Sequence, residues 1–169
     1  MNNVLKDIIE EIDQKLKCLS IDFRDNSWRK DIPSQAGWYI IKTNTPIALL
    51  KSVGPPQHKA HINIPRTIDS NANILRYGIT IAQSNNEVYV VYNGETNNLK
   101  ARAREHVHGH PKTYCLGLSS YQILSAYKWT FCYVTVSSCK VLPNMDKLLR
   151  LAVEQGWRAR NGWPILCRR

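Results

Sequence analysis

The chain has 169 residues and is 43% hydrophobic, which suits one domain with a single sizeable core. Its 23 Lys and Arg against 13 Asp and Glu give a net charge of +10 and a pI near 9.5, an excess that favours a polyanionic partner, nucleic acid before an anionic membrane surface. No apolar run is long enough to cross a membrane, and Asp7, Glu10, Glu11 and Asp13 argue against a usual signal or transit peptide, so a cytoplasmic protein that does not enter membranes is expected.

In chain order, residues 3 to 19 carry Val4, Ile8, Ile12, Leu16 and Leu19 at helical spacing, which predicts an amphipathic helix that packs on the core or mediates a dimer. A polar connection follows, and "AGWYIIKT" (36 to 43) has the aromatic and β-branched content of a short strand. Residues 44 to 75 read as mostly irregular, with Pro46, Pro55, Pro56 and Pro65, apart from a short helix in "PIALLKSV". "ILRYGITIA" and "EVYVVYNG" read as strands joined by the turn "QSNN". A helix is expected over about 97 to 108, a strand over 129 to 136, and a final helix over about 144 to 159 opened by Pro143-Asn144. The pattern predicts an α+β fold, a small antiparallel sheet with flanking helices. The cysteines, Cys18, Cys115, Cys132, Cys139 and Cys167, are odd in number and lack CxxC spacing, so they read as reduced, mostly buried thiols.

The densest chemistry lies in "YNGETNNLKARAREH", residues 92 to 106. Asn93-Gly94 alone would be a hairpin turn. Helix formers follow instead, with Thr96, Asn97 and Asn98 each able to cap a helix start. Gly94 is expected to permit a sharp exit from the strand. On the helix, Leu99, Arg102, Ala103 and His106 share a face, because offsets of three and four align.

Residues 92 to 106 resemble the second motif of the GIY-YIG nucleases, Tyr-x-Gly-x-Thr-x-Asn-Leu-x-x-Arg-x-x-x-His, with every named position matched. "GWY" (37 to 39) resembles the first motif and supplies Tyr39. "LLRLAVEQGWRARNGWPIL" is similar to the family's helix with its metal-binding glutamate, here Glu154, followed by a polar residue, here Asn161. The resemblance implies one nuclease domain over residues 1 to 169. Residues 1 to 35 form its N-terminal helix and connection, and 44 to 86 an insert between the motif strands. It also implies a catalytic set of Tyr39, Tyr92, Arg102, His106, Glu154 and Asn161, with Glu154 holding Mg²⁺ or Mn²⁺.

Phosphodiester hydrolysis suits these residue types. Arg102 offers a planar donor fork to a non-bridging oxygen. One carboxylate suffices for Mg²⁺, which keeps waters and takes further ligands from the phosphate. By resemblance Tyr39 is the general base, with His106 able to accept its proton, and Tyr92 orients the water or the phosphate. Glu154 also has a plain alternative, a helix ion pair with Arg150 or Arg158 four residues away on either side.

Lys51, Lys59, Arg66, Lys100, Arg104 and Arg158 are the expected DNA-backbone contacts. The basic insert either touches DNA or is a solvated loop. "HVHGH" and "HKAH" lack a cysteine or carboxylate to complete a zinc set, and Trp157 and Trp163 suit the core better than base stacking. The expectation is a metal-dependent endonuclease on double-stranded DNA, of restriction or defence type, with a possible homodimer. The alternatives are a repair or mobile-element nuclease, a delivered nuclease toxin, a non-catalytic nucleic-acid-binding module, and a structural protein that binds polyanions or membranes.

Overall fold

The computed structural model describes residues 3–76, 81, 87–139 and 146–168. Its elements are α1 (Asn3–Lys15), β1 (Lys17–Ser20), β2 (Gly37–Thr43), α2 (Ile47–Ser52), α3 (Ile64–Arg76), β3 (Tyr89–Thr96), α4 (Leu99–His108), β4 (Trp129–Thr135) and α5 (Lys147–Asn161), with short 3-10 turns between them. The strands form one antiparallel sheet in the order β1-β4-β2-β3. The fold is therefore α+β, as expected.

Strand β2 lies between β3 and β4 and is covered on both faces. Alternation sends Tyr39 and Ile41 to one side and Trp38 and Ile40 to the other. The Tyr39 side packs with Phe131, Tyr133, Ile64 and Ile68 of α3, and Leu99 and Ala103 of α4. The Trp38 side packs with Ile8, Ile9 and Ile12 of α1 and Val153 and Trp157 of α5. A bulge breaks the β2–β3 register: Lys42 opposes Val90, but Ile41 opposes Tyr92, leaving Val91 as the extra residue. Strict alternation from Tyr89 would turn Tyr92 toward α5. The bulge instead brings it to the face that carries Tyr39.

Several expectations are corrected. The first helix stops at Lys15, because Lys17–Ser20 pairs with β4, and Val4 is half exposed. The apolar spacing at Leu16 and Leu19 mimics a continuing helix, but sheet pairing wins. Residues 64 to 75, expected to be irregular, belong to α3; Pro65 sits in its first turn, where proline's missing N–H costs little. Ile74–Arg76 are helical rather than the start of a strand, and residues 77–80 and 82–86, including the "QSNN" turn, lie outside the described residues. The Pro143-Asn144 start signal does too. Helix α5 opens at Asp146, whose carboxylate accepts from the Leu149 N–H at 2.8 Å.

The reduced state expected of all five cysteines is also corrected. Register places Cys18 opposite Cys132, and the two form a disulfide, while Cys115, Cys139 and Cys167 are free and buried. Among the described residues no helix is long and apolar enough to cross a membrane.

Candidate active site

Tyr39 sits at the centre of the sheet, opposite Gly94 on one side and Tyr133 on the other. Its ring stacks on Phe131 with centroids 5.2 Å apart and faces Tyr92 at 6.1 Å, and the residue is 1% exposed. The glycine opposite explains how a tyrosine fits there. A Cβ on Gly94 would lie 2.5 Å from the Tyr39 hydroxyl oxygen. Strand β3 continues past Gly94 to Thr96, so this glycine serves a close side-chain approach and not the sharp exit expected of it. Gly37 plays a similar part, since a Cβ there would collide with the Val134 carbonyl oxygen and lie 2.8 Å from Leu99 Cδ1. Its absence lets α4 settle on the sheet. Gly94→Ala is expected to displace the Tyr39 ring and cost about 1–3 kcal/mol of overpacking strain. Urea unfolding measures this, and a loss within error would mean the ring has room to move.

Helix α4 brings the basic groups to Tyr39. Asn98 caps it, its side chain accepting from the Ala101 N–H at 2.9 Å. Leu99, Ala103 and His106 are buried on the sheet side. Arg102 Nε donates to the Tyr39 hydroxyl oxygen at 2.9 Å, and His106 Nε2 stands 3.0 Å from the same oxygen. His106 Nδ1 accepts from the Leu116 N–H at 3.4 Å, which leaves Nε2 as the protonated nitrogen of a neutral ring. In this tautomer His106 donates to Tyr39; with the proton on Nδ1 it accepts the tyrosine proton instead, the role expected of it. Two N–H groups converge on one phenolic oxygen, an arrangement suited to a phenolate. Burial opposes that charge and pushes the Tyr39 pKa up to about 12, with Arg102 pulling the other way. Burial also pushes Tyr92 well above its ordinary value. Tyr92 packs against His106 with ring centroids 4.7 Å apart.

Burial, with Arg102 alongside, holds His106 well below the ordinary histidine pKa of 6.5. The unfolded chain therefore binds a proton that the folded chain refuses. The stability is present above pH 6.5 and is lost as pH falls below it. Urea titrations between pH 7 and pH 5 should show this fall, with a smaller slope in His106→Gln. An unchanged slope would place the acid sensitivity elsewhere.

The rest of the Arg102 fork is occupied. Its NH1 donates to Glu105 Oε2 at 3.0 Å and its NH2 to the Tyr114 carbonyl at 2.7 Å. A phosphate oxygen reaching this guanidinium must share it with Glu105 or replace it. Sequence reasoning missed Glu105, although its place one turn after Arg102 was a signal.

Glu154 reaches the same region from α5. It lines a small, mostly apolar recess on the Trp38 side of the sheet, with Val153, Trp157 and Ile12 as well as Asn93, Gly94 and Tyr39. One carboxylate oxygen accepts from the Glu95 N–H at 3.0 Å and the other from Arg158. Arg158 is itself fixed by Asn93, whose side-chain oxygen accepts from Nε at 2.7 Å, and its guanidinium lies 4.8 Å from the Trp163 ring centroid. The plain alternative for Glu154 is thus half realised: the pair with Arg158 forms, whereas Arg150 turns to Glu95 at 2.9 Å. Burial raises the Glu154 pKa and Arg158 opposes the rise. Each Glu154 oxygen has one donor and a further lone pair. The residue therefore fits a hard, oxygen-seeking cation that takes its other ligands from water and phosphate. Among the described residues no three His, Cys, Asp or Glu stand together to hold a metal ion, at the histidine pairs or at Glu154.

The other expected residues lie apart. Asn161 donates to the Trp157 carbonyl within α5, and no described contact ties it to the Tyr39 cluster. Trp157 is buried in the core. Arg158, expected on DNA, is 8% exposed and committed to Glu154 and Asn93. Lys51 pairs with Asp69 at 2.8 Å, and Lys100 donates to the Lys30 carbonyl at 2.9 Å. Lys59, Arg66 and Arg104 are exposed. No protein-family model matches the chain, and neither a curated protein nor a solved structure matches it.

Proposed function

We propose that the chain is a metal-dependent endonuclease of GIY-YIG type that hydrolyses phosphodiester bonds in double-stranded DNA. The observation that carries this reading is the convergence of Arg102 and His106 on the Tyr39 oxygen, with Tyr92 packed alongside and Glu154 held by the Glu95 N–H, next to the Gly94 that faces Tyr39. In the proposed mechanism Tyr39, as phenolate, takes a proton from the attacking water. Arg102 and the His106 N–H stabilise that phenolate beforehand. Arg102 then turns donors from Glu105 toward a non-bridging phosphate oxygen. Tyr92 narrows the space in which water and phosphate meet. Glu154 would hold Mg²⁺ or Mn²⁺, which when bound supplies positive charge against that developing on the phosphate and the leaving oxygen.

Incubation of supercoiled plasmid with the protein in Mg²⁺ and in EDTA tests this. Nicked or linear product in Mg²⁺ alone is the expected result. Intact plasmid in both, with DNA still bound, would leave a non-catalytic nucleic-acid-binding module. A restriction or defence role in the cytoplasm, exercised by a homodimer, is the biological setting we favour. The Cys18–Cys132 disulfide favours a second setting, a nuclease delivered through an oxidising compartment, because such bonds are uncommon in reducing ones.

A further inference from the structure

Beside the Tyr39 cluster lies a groove of about 330 Å³ between the loop before α3, the first turns of α3, the segment after α4 and the C-terminal tail. Three cations line it: Lys59, Arg66 and Arg168. All three are exposed, and none of the described lining residues is acidic. Asp69, an acidic neighbour on α3, is paired with Lys51 and does not line the groove.

The walls are built, not incidental. His61 bridges Cys115, and the Ile62 N–H donates to the Cys115 carbonyl at 2.8 Å, which ties the loop before α3 to the segment after α4. The Asn63 side chain accepts from the Arg66 N–H at 3.1 Å and fixes the first turn of α3. The Arg168 guanidinium lies 4.1 Å from the Tyr114 ring centroid, which fixes the third cation. Tyr114 also joins the groove to the site, because its carbonyl accepts from Arg102.

We infer that this groove is a binding site for the phosphodiester backbone of the nucleic acid, continuous with the Tyr39 site. Three cations in a groove whose described lining holds no acid suit repeated phosphates, and charges of this kind confer affinity that does not depend on sequence. The inference deepens the nuclease reading by assigning a strand path to the insert and the tail, and its test does not use cleavage.

The test measures binding of fluorescent duplex DNA, and of duplex RNA of the same length, in EDTA across a series of salt concentrations. The variant Lys59→Ala/Arg66→Ala/Arg168→Ala is compared with Lys6→Ala/Lys17→Ala/Arg24→Ala, which removes the same charge from exposed positions outside the groove. Ser70→Glu, an exposed groove position, supplies a variant that keeps every cation. The groove triple is expected to bind DNA at least about tenfold more weakly. Its slope of log affinity against log salt should be shallower by about 2 to 3, given a slope of roughly 0.9 for each phosphate neutralised. Ser70→Glu should weaken binding in the same direction, while the control triple changes little. Equal loss in the two triples would overturn the inference by reducing it to net charge. Absence of duplex binding by the native chain at low salt would overturn it as well. Loss confined to the groove triple, in a protein that leaves plasmid intact, would sink the nuclease reading and preserve the groove. The RNA arm shows whether the groove serves both backbones.

Discussion

Glu154→Gln is expected to lower single-turnover cleavage by roughly 10³-fold, the effect of removing one group that serves charge stabilisation at a reacting centre. DNA affinity should survive, and stability should fall less than in Glu154→Ala, with the assay run where the variant is folded. Glutamine keeps nearly the same volume and one acceptor oxygen, for the Glu95 N–H or for Arg158 but not both, so the packing of α5 against the edge of β3 is better kept than in alanine. The negative charge is lost, and with it the group able to hold a hard cation. Alanine is a poorer test. Glu154 and Arg158 are a buried pair, their side chains 11% and 8% exposed. Either variant leaves the guanidinium without its counter-charge, a change that costs about 3–5 kcal/mol when a buried pair is broken from one side, and alanine adds a lost acceptor and a cavity. An inactive Glu154→Ala could therefore reflect a damaged fold. The measurement is single-turnover cleavage in Mg²⁺, with affinity taken in Ca²⁺ and stability by urea. A Gln variant that cuts like the native chain would reduce Glu154 to a partner of Arg158.

Local pattern made most of the sheet legible, and with it the residues that gather around Tyr39. Strands β2, β3 and β4 follow from aromatic and β-branched runs, and α4 from helix formers behind the Asn98 cap. Leu99, Ala103 and His106 fall on the face that their spacing predicts. What stayed hidden depends on contacts between distant residues. Strand β1 continues the apolar spacing of α1, and only its pairing with β4 makes it a strand. The disulfide follows from that same register, joining cysteines 114 positions apart. The bulge at Val91 decides which face Tyr92 joins, and no residue there announces it. Helix α3 was obscured by its proline, which reads as a breaker until its place in the first turn is known. Arg158 illustrates another limit. Spacing allowed it to reach Glu154, but not that Asn93 and Trp163 would hold it inside the protein.

The surroundings of the Tyr39 hydroxyl set two opposing demands. Burial favours the neutral phenol, while two N–H donors favour the phenolate. Arg102 is the stronger of the two donors because it is charged. Glu105 draws part of that charge away through its own pair with Arg102. A phosphate that displaces Glu105 keeps a negative partner on the guanidinium, so the phenol gains little from Arg102 alone. A cation at Glu154 would act in the other direction, offsetting the carboxylate charge that helps to raise the Tyr39 pKa. Burial thus keeps the Tyr39 phenol mostly protonated near neutrality, and in the proposed mechanism its activation depends on what enters the site.

Tyr39→Phe follows from this balance as the second large effect. Phenylalanine keeps the stacking on Phe131 and Tyr92 and fills the space over Gly94 almost as well. It removes the oxygen that accepts from Arg102 and His106, leaving two buried donors unmatched at about 1–3 kcal/mol each. Stability should fall, and assays belong at temperatures where the variant remains folded. General-base catalysis contributes roughly 10²- to 10⁴-fold, and a single-turnover loss of that order is expected with little change in affinity measured in Ca²⁺. The pH dependence separates a base from a packing residue. With a pKa of about 12, Tyr39 is mostly protonated near neutrality, so the native rate should climb as pH rises toward that value. Tyr39→Phe should lose the climb. Tyr92→Phe should be slower at every pH and keep it, because Tyr92 acts by position. Near-native rates in Tyr39→Phe across the whole range would show that another group takes the proton. His106 would be the first candidate, which requires it to give up the Leu116 N–H and expose a free nitrogen to the water.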